Sequence, residues 1–254
     1  MDAAEPLDGD SLWCRRFVFG GHDFAVEEAF GAGLGGTCWS GGVALASWLA
    51  DGGLAAAARV LLPHCDGALT CLELGAGCSG LPGLYVARCG APFSVVLTDA
   101  HEECLARLQE NVEASASVNT NVPAARVELL NWGSSKDIAA MPPVHLLLAA
   151  DVVYGMERPD EPGAAAAAES LVKAFDALSA PRSLILLSQR LQPLQKEAAF
   201  MGALRGRFTL RRVDGPLSSP LAFDDALANS AGCGVGELGD GLGVFSLRRQ
   251  DLNC

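Results

Sequence analysis

The chain has 254 residues, half of them apolar and only 19% charged, with a formal net charge of −12. That length supports one α/β domain with a sizeable core, and the acidic balance argues against nonspecific nucleic-acid binding, which needs Lys and Arg to neutralise phosphates. No run approaches the ~18 apolar residues of a membrane span, and the acidic opening MDAAEPLDGD has no apolar signal core.

In chain order, residues 1–12 read as a loose tail, followed by a short hairpin of Arg15–Phe19 and Asp23–Val26 around Gly20-Gly21. Gly31–Gly36 is too rich in glycine for regular structure. We therefore set a tail and hairpin over residues 1–35 apart from a domain over 36–254. Trp39–Asp51 reads as a helix ended by Gly52-Gly53. Strands and helices then alternate: strand Ala68–Leu74, helix Leu81–Cys89, strand Ser94–Thr98, helix His101–Ser117, strand Arg126–Leu130, strand His145–Ala150, helix Ala164–Leu178, strand Ser183–Ser188 and helix Gln195–Arg205. Two strands close the chain, Phe208–Val213 and Gly243–Leu247. No helix separates these two, so they are expected to pair antiparallel. Residues 214–242 form a long glycine-rich insertion.

Such alternation, with continuous apolar strands, predicts a parallel sheet covered by helices on both faces. The fold class is α/β: a Rossmann-like three-layer sandwich with a seven-stranded, mostly parallel sheet whose last strand is antiparallel.

The chemistry concentrates in LELGAGCSG and the strand after it. Gly75, Gly77 and Gly80 spell GxGxxG between a strand and a helix, and Asp99 ends the next strand. The glycines let backbone approach a ligand, the helix start offers free N–H groups, and Asp99 can accept ribose hydroxyls. This suits NAD as well as S-adenosylmethionine. Asp99 could also cap the following helix, and both roles can coexist in one loop.

Nine cysteines show no CxxC pairing, which reads as reduced thiols in a cytoplasmic or nuclear setting, the cytoplasm being preferred. The four histidines have no ligand spacing with them, so no metal site is expected.

Further segments then matter in order: CWSGGVALASWL from Cys38, NWG at Asn131–Gly133, AADVVYG at Ala149–Gly155, and LSQR ending at Arg190. With LELGAGCSG and Asp99 they resemble the seven-β-strand, S-adenosylmethionine-dependent methyltransferases. More narrowly, the chain is similar to the methyltransferase-like protein lysine methyltransferases over roughly Gly36–Leu247. This resemblance implies S-adenosylmethionine as cofactor and a protein lysine as acceptor. It implies that Trp39, Gly75, Ala76, Gly77, Asp99, Trp132 and Ala150 line the cofactor pocket. Glu73 stands beside the glycine loop and is assigned to the methionine amino end. The family's Asp/Glu-x-x-Tyr/Phe motif falls on Asp151-Val152-Val153-Tyr154, which makes Asp151 and Tyr154 the candidates for orienting the amine. Asp-Val-Val-Tyr lacks the paired prolines of the motif used on nucleic-acid bases and glutamine.

The expected function is methyl transfer to a lysine of a non-histone protein by a monomer without nucleic-acid or membrane partners. An NAD(P) oxidoreductase would explain GxGxxG and Asp99 but not Trp39, NWG or AADVVYG, and no Tyr-x-x-x-Lys pair is present for hydride chemistry. A catalytically silent cofactor- or partner-binding module and a small-molecule methyltransferase stay open on the sequence alone.

Overall fold

The structure, a computed structural model, describes residues 5–6, 12–65, 67–89, 92–116, 125–153, 163–191, 198–213 and 241–249. Tyr154, Cys233, Cys254 and nearly all of the 214–242 insertion lie outside these described residues.

The chain opens with a three-stranded antiparallel sheet of β1 (Glu5–Pro6), β2 (Leu12–Phe19) and β3 (His22–Ala29), in that order. Gly20 and Gly21 both take positive φ at the β2–β3 turn, as a tight hairpin requires. Glu5 and Pro6 pair with Cys14 and Trp13, in the stretch expected to be a loose tail.

Helices α1 (Ser40–Trp48) and α2 (Leu54–Leu61) follow. The first helix was expected to end at Gly52-Gly53. The chain does break there, with Gly52 at φ 107°, but the alanine-rich LAAAARVL resumes as a helix. By length and composition alone, residues 40–64 pass as a stretch able to cross a membrane. Here Leu45, Ala46, Leu49, Ala56, Ala57 and Leu61 are buried in the core beside the central sheet.

The remaining elements are β4 (Leu69–Leu74), α3 (Leu81–Cys89), β5 (Phe93–Asp99), α4 (Glu102–Ala116), β6 (Arg126–Leu129), α5 (Ser135–Ala140), β7 (Val144–Ala150), α6 (Ala164–Leu178), β8 (Ser179–Leu191), α7 (Ala198–Leu204), β9 (Phe208–Arg212) and β10 (Gly241–Arg249). The short helix α5 was not expected. It starts at Ser134, whose hydroxyl accepts from the Asp137 N–H at 3.2 Å.

The central sheet runs β6-β5-β4-β7-β8-β10-β9. Neighbours from β6 to β8 are parallel, and β10 is antiparallel to both β8 and β9. The fold is thus the expected mostly parallel sandwich with an antiparallel last strand. Alternation along the strands feeds two cores. Leu69 and Cys71 of β4, Leu146 and Leu148 of β7, and Leu184 and Leu186 of β8 pack with α1–α4 and the hairpin. Leu72, Leu74, Leu147, Ala149, Ile185 and Leu187 pack with α6 and α7 on the other face. Both faces are covered, which is why these strands read as unbroken apolar runs.

The strand order reverses between β4 and β7. Helix α3, after β4, packs on one face and α6, after β7, on the other. The two loops therefore part at the carboxyl ends of β4 and β7 and leave a crevice there, where open α/β sheets bind ligands.

Candidate active site

A cavity of about 970 Å³ occupies that crevice. Its floor is the glycine loop. Gly75, Gly77 and Gly80 have φ of 67°, 59° and 49°, a region closed to most side chains. A Cβ on Gly77 would stand 2.6 Å from the Gly35 carbonyl oxygen, and one on Gly75 would stand 2.9 Å from Val152 Cγ1. The loop is fixed by short backbone bonds: the Ala76 N–H donates to Thr98 O at 2.8 Å and the Cys78 N–H to Gly35 O at 2.7 Å.

Asp99 ties the loop to the end of β5. Its carboxylate accepts from the Gly77 N–H at 2.9 Å and from the His101 N–H at 3.0 Å. The capping contact at the start of α4 and the pocket-facing position thus coexist in one side chain. Glu73 accepts from the Gly83 N–H at 2.7 Å in the first turn of α3. It is almost completely buried. Burial pushes its carboxyl from the usual 4.5 up to about 8, against the lowering effect of that hydrogen bond, with the Asp99 charge adding to the rise.

Trp39 and Trp132 stand on the pocket walls. Trp39 is 49% exposed, and its indole N–H donates to Leu34 O at 2.8 Å. Trp132 sits in the turn after β6, where the Asn131 side chain accepts from the Gly133 N–H at 2.8 Å and the Ser134 N–H donates to Asn131 O at 2.8 Å.

At the end of β7 the backbone does something the sequence did not announce. Asp151 is the one non-glycine residue with positive φ among the described residues, at 51°. Asp tolerates this conformation better than most residues. The turn brings its carboxylate against α1, where it accepts the Gly41 N–H at 2.6 Å. Helix α1 has no side-chain cap of its own from Trp39, so Asp151 supplies an anion to its first turn from 110 positions away in the chain. A Cβ on Gly41 would lie 2.6 Å from this carboxylate, which explains the glycine in CWSGG.

The structure brings Trp39, Glu73, Gly75, Ala76, Gly77, Asp99, Trp132, Ala150 and Asp151 to one cavity. Tyr154 follows the last described residue of that segment. Sequence reasoning missed several lining residues, Ala32–Gly35, His101 and Gln189 among them. Ala32–Gly35 form an outer wall ahead of residue 36, and their signal was only glycine density. His101 follows from its place two residues after Asp99. Gln189 belongs to LSQR, but nothing in the sequence aimed its amide at the pocket. Outside the cavity, buried Glu28 and half-buried Arg15 grip one residue of the chain. Glu28 accepts the Cys38 N–H at 2.6 Å and an Arg15 N–H at 3.1 Å, while Arg15 also donates to Cys38 O at 2.8 Å.

Among the described residues no cluster of His, Cys, Asp and Glu could hold a metal ion. The buried thiols of Cys38 and Cys104 are pushed up to about 12 by desolvation, so neither is a ready nucleophile.

The lysine methyltransferase family profile matches residues 19–207. The chain belongs to that family. Human METTL23, a histone-arginine methyltransferase, is 42% identical over 87 residues, which span 34% of this chain and 43% of that protein. The match therefore spans less than half the length of this relative. Mouse METTL21A, a protein N-lysine methyltransferase, is 28% identical over 198 residues, spanning 78% of this chain and 79% of that protein. Among solved structures, the T. thermophilus 16S rRNA N2 G1207 methyltransferase RsmC, in complex with AdoMet and guanosine, superposes with a TM-score of 0.53 and 18% identity. That superposition covers 96% of this chain and 52% of the other, and carries the fold alone.

Proposed function

We propose that this chain is an S-adenosylmethionine-dependent methyltransferase that modifies a lysine side chain of a non-histone protein. One observation carries the reading: among the described residues, the cavity at the switch point is lined by Glu73, Asp99 and Asp151 and by no lysine or arginine. A pyrophosphate could still be met by the backbone N–H groups of the glycine turn, so what favours S-adenosylmethionine over a dinucleotide is the lysine methyltransferase family match over residues 19–207 together with Asp99 and Asp151 on the cavity wall. A sulfonium bearing an amino group fits the same charge pattern, so an NAD(P) oxidoreductase is disfavoured.

The residues fit the cofactor in kind. Gly75, Ala76 and Gly77 give a floor open to close approach, Asp99 a carboxylate for the ribose hydroxyls, Trp39, Trp132 and Ala150 apolar walls, and Glu73 an acid beside the loop. S-adenosylmethionine supplies an already activated methyl group, so the protein's task is alignment and desolvation. A lysine has an ordinary pKa of about 10.4 and must lose its proton to attack. An apolar pocket beside a positive charge favours the neutral amine. Asp151, held by Gly41, and Tyr154 are assigned to orient that amine, the aromatic ring through its face.

A second reading, arginine as acceptor, is favoured by the local identity to METTL23. We further propose a cytoplasmic monomer, with a negative net charge that suits a basic protein partner and repels nucleic acid.

The test begins with calorimetric titration of S-adenosylhomocysteine and, separately, NADH into wild type and Asp99→Ala. Binding of the first alone, weakened by the substitution, supports the reading; binding of NADH alone overturns it. Radiolabelled methyl transfer to arrayed lysine and arginine peptides, with hydrolysis to methyl-amino acids, then separates the two acceptors.

A further inference from the structure

Gln189 has a polar side chain that the family motifs leave without a role. It lies near the end of β8, is 6% exposed and borders the cavity. Its Oε1 accepts the Val153 N–H at 3.1 Å, and its Nε2 donates to Val153 O at 3.4 Å. The orientation of the amide follows from the pairing, because only the oxygen can accept an N–H and only the nitrogen can meet a carbonyl. One side chain thus satisfies both polar groups of a buried residue that has left the sheet.

The location gives this contact its meaning. The β7–β8 ladder runs one residue past β7, with the Asp151 N–H donating to Ser188 O at 2.9 Å. The left-handed turn at Asp151 then ends the ladder. Beyond it, Val152 and Val153 lie outside the sheet, yet both are buried. The Gln189 amide replaces the missing ladder at Val153, so the segment is held at both ends: Asp151 by Ser188 and Gly41, Val153 by Gln189. A two-pronged bond fixes the direction of the backbone as well as its position. Asp151 lies inside this fixed span, and Tyr154 is the next residue in sequence.

We propose that Gln189 is a positioning residue: its amide holds the Asp151–Val153 segment in the geometry that presents the acceptor-facing groups, without touching the methyl donor. This inference rests on the methyltransferase reading for its consequence in turnover. Its structural half stands separately.

The experiment compares wild type with Gln189→Leu, which keeps the volume and removes both prongs, and Gln189→Glu, which keeps an acceptor for the Val153 N–H. Hydrogen exchange resolves the Val153 amide, S-adenosylhomocysteine calorimetry reads the cofactor side, and methyl transfer to the lysine peptide array reads turnover. In Gln189→Leu we expect Val153 exchange to rise at least about tenfold, with exchange across residues 144–150 and S-adenosylhomocysteine affinity within about threefold of wild type. Peptide turnover should fall at least about tenfold in kcat with little change in the cofactor KM, and Gln189→Glu should recover part of both. Unchanged Val153 exchange overturns the proposal. So does a loss that spreads through β7 together with cofactor affinity, which would mark Gln189 as a general core residue. Where wild type methylates no peptide on the array, the functional reading fails, and the exchange data still decide the clamp.

Discussion

The two halves of the cavity are built by different means. At the ends of β4 and β5, polar groups meet partners that are close in the chain or on the adjoining strand: Glu73 with Gly83, Asp99 with Gly77 and His101, Ala76 with Thr98. At the ends of β7 and β8, the critical groups meet partners far away: Asp151 reaches Gly41 across 110 positions, and Gln189 reaches Val153 across 36. The half around the glycine loop draws most of its polar contacts from β4, α3 and β5, with Cys78 also donating to Gly35 O. The half around Asp151 is assembled from α1, β7 and β8 together. Cofactor affinity and turnover should therefore be separable by mutation.

The strongest challenge to that separation is Gly77→Ala. A left-handed residue with a Cβ costs roughly 1–2 kcal/mol, and that Cβ would meet Gly35 O at 2.6 Å. We expect S-adenosylhomocysteine affinity to fall at least about thirtyfold by calorimetry. Asp99→Ala removes, from the end of β5, the charged acceptor that holds the same loop. With charged hydrogen bonds contributing about 1.5–3 kcal/mol, affinity should drop on the order of tenfold to a hundredfold. On the other side, Asp151→Ala should lower kcat about tenfold or more while S-adenosylhomocysteine binding stays within about threefold. Asp151→Asn, which keeps an acceptor for the Gly41 N–H, should lose less than Asp151→Ala. Equal loss of cofactor binding in Asp151→Ala would end the distinction between the halves.

A subtler effect comes from Glu73. Below pH 4.5 both the folded and the unfolded chain carry its proton. Between that value and about 8 the unfolded chain releases it while the folded chain retains it. Folding stability from this group therefore falls as pH rises through that window and levels off above it. Glu73→Gln should lack that slope, so its thermal midpoint should gain on wild type between pH 5 and 8.5. A positively charged ligand favours the ionised form, so cofactor affinity should also rise with pH in wild type and stay flatter in Glu73→Gln. The smallest change we expect is Gly52→Ala. Its φ of 107° penalises a side chain although open space surrounds it. It should cost on the order of 1 kcal/mol of stability and leave ligand binding untouched, since neither Gly52 nor Gly53 lines the cavity.

The difference between the halves also sets what could be read in advance. The strands were legible because burial on both faces writes apolar runs into β4, β5, β7 and β8. The glycine loop was legible because Gly75, Gly77 and Gly80 occupy backbone conformations that other residues resist. Helix α2 was hidden because the break at Gly52 looks, locally, like a terminus. Helix α5 was hidden because six residues carry too little periodicity to register. The wall at Ala32–Gly35 was passed over because of the same glycines that let it lie against the loop.

By itself the sequence determined the alternating architecture, the glycine turn after β4 and the acidic end of β5, since each is written in residues close together in the chain. Only the tertiary structure decided that Asp151 turns left-handed to reach Gly41, and that Gln189 takes the place of a strand partner for Val153. Those contacts join segments that no local pattern connects. Their physical cause is the need to satisfy buried backbone groups where the sheet ends.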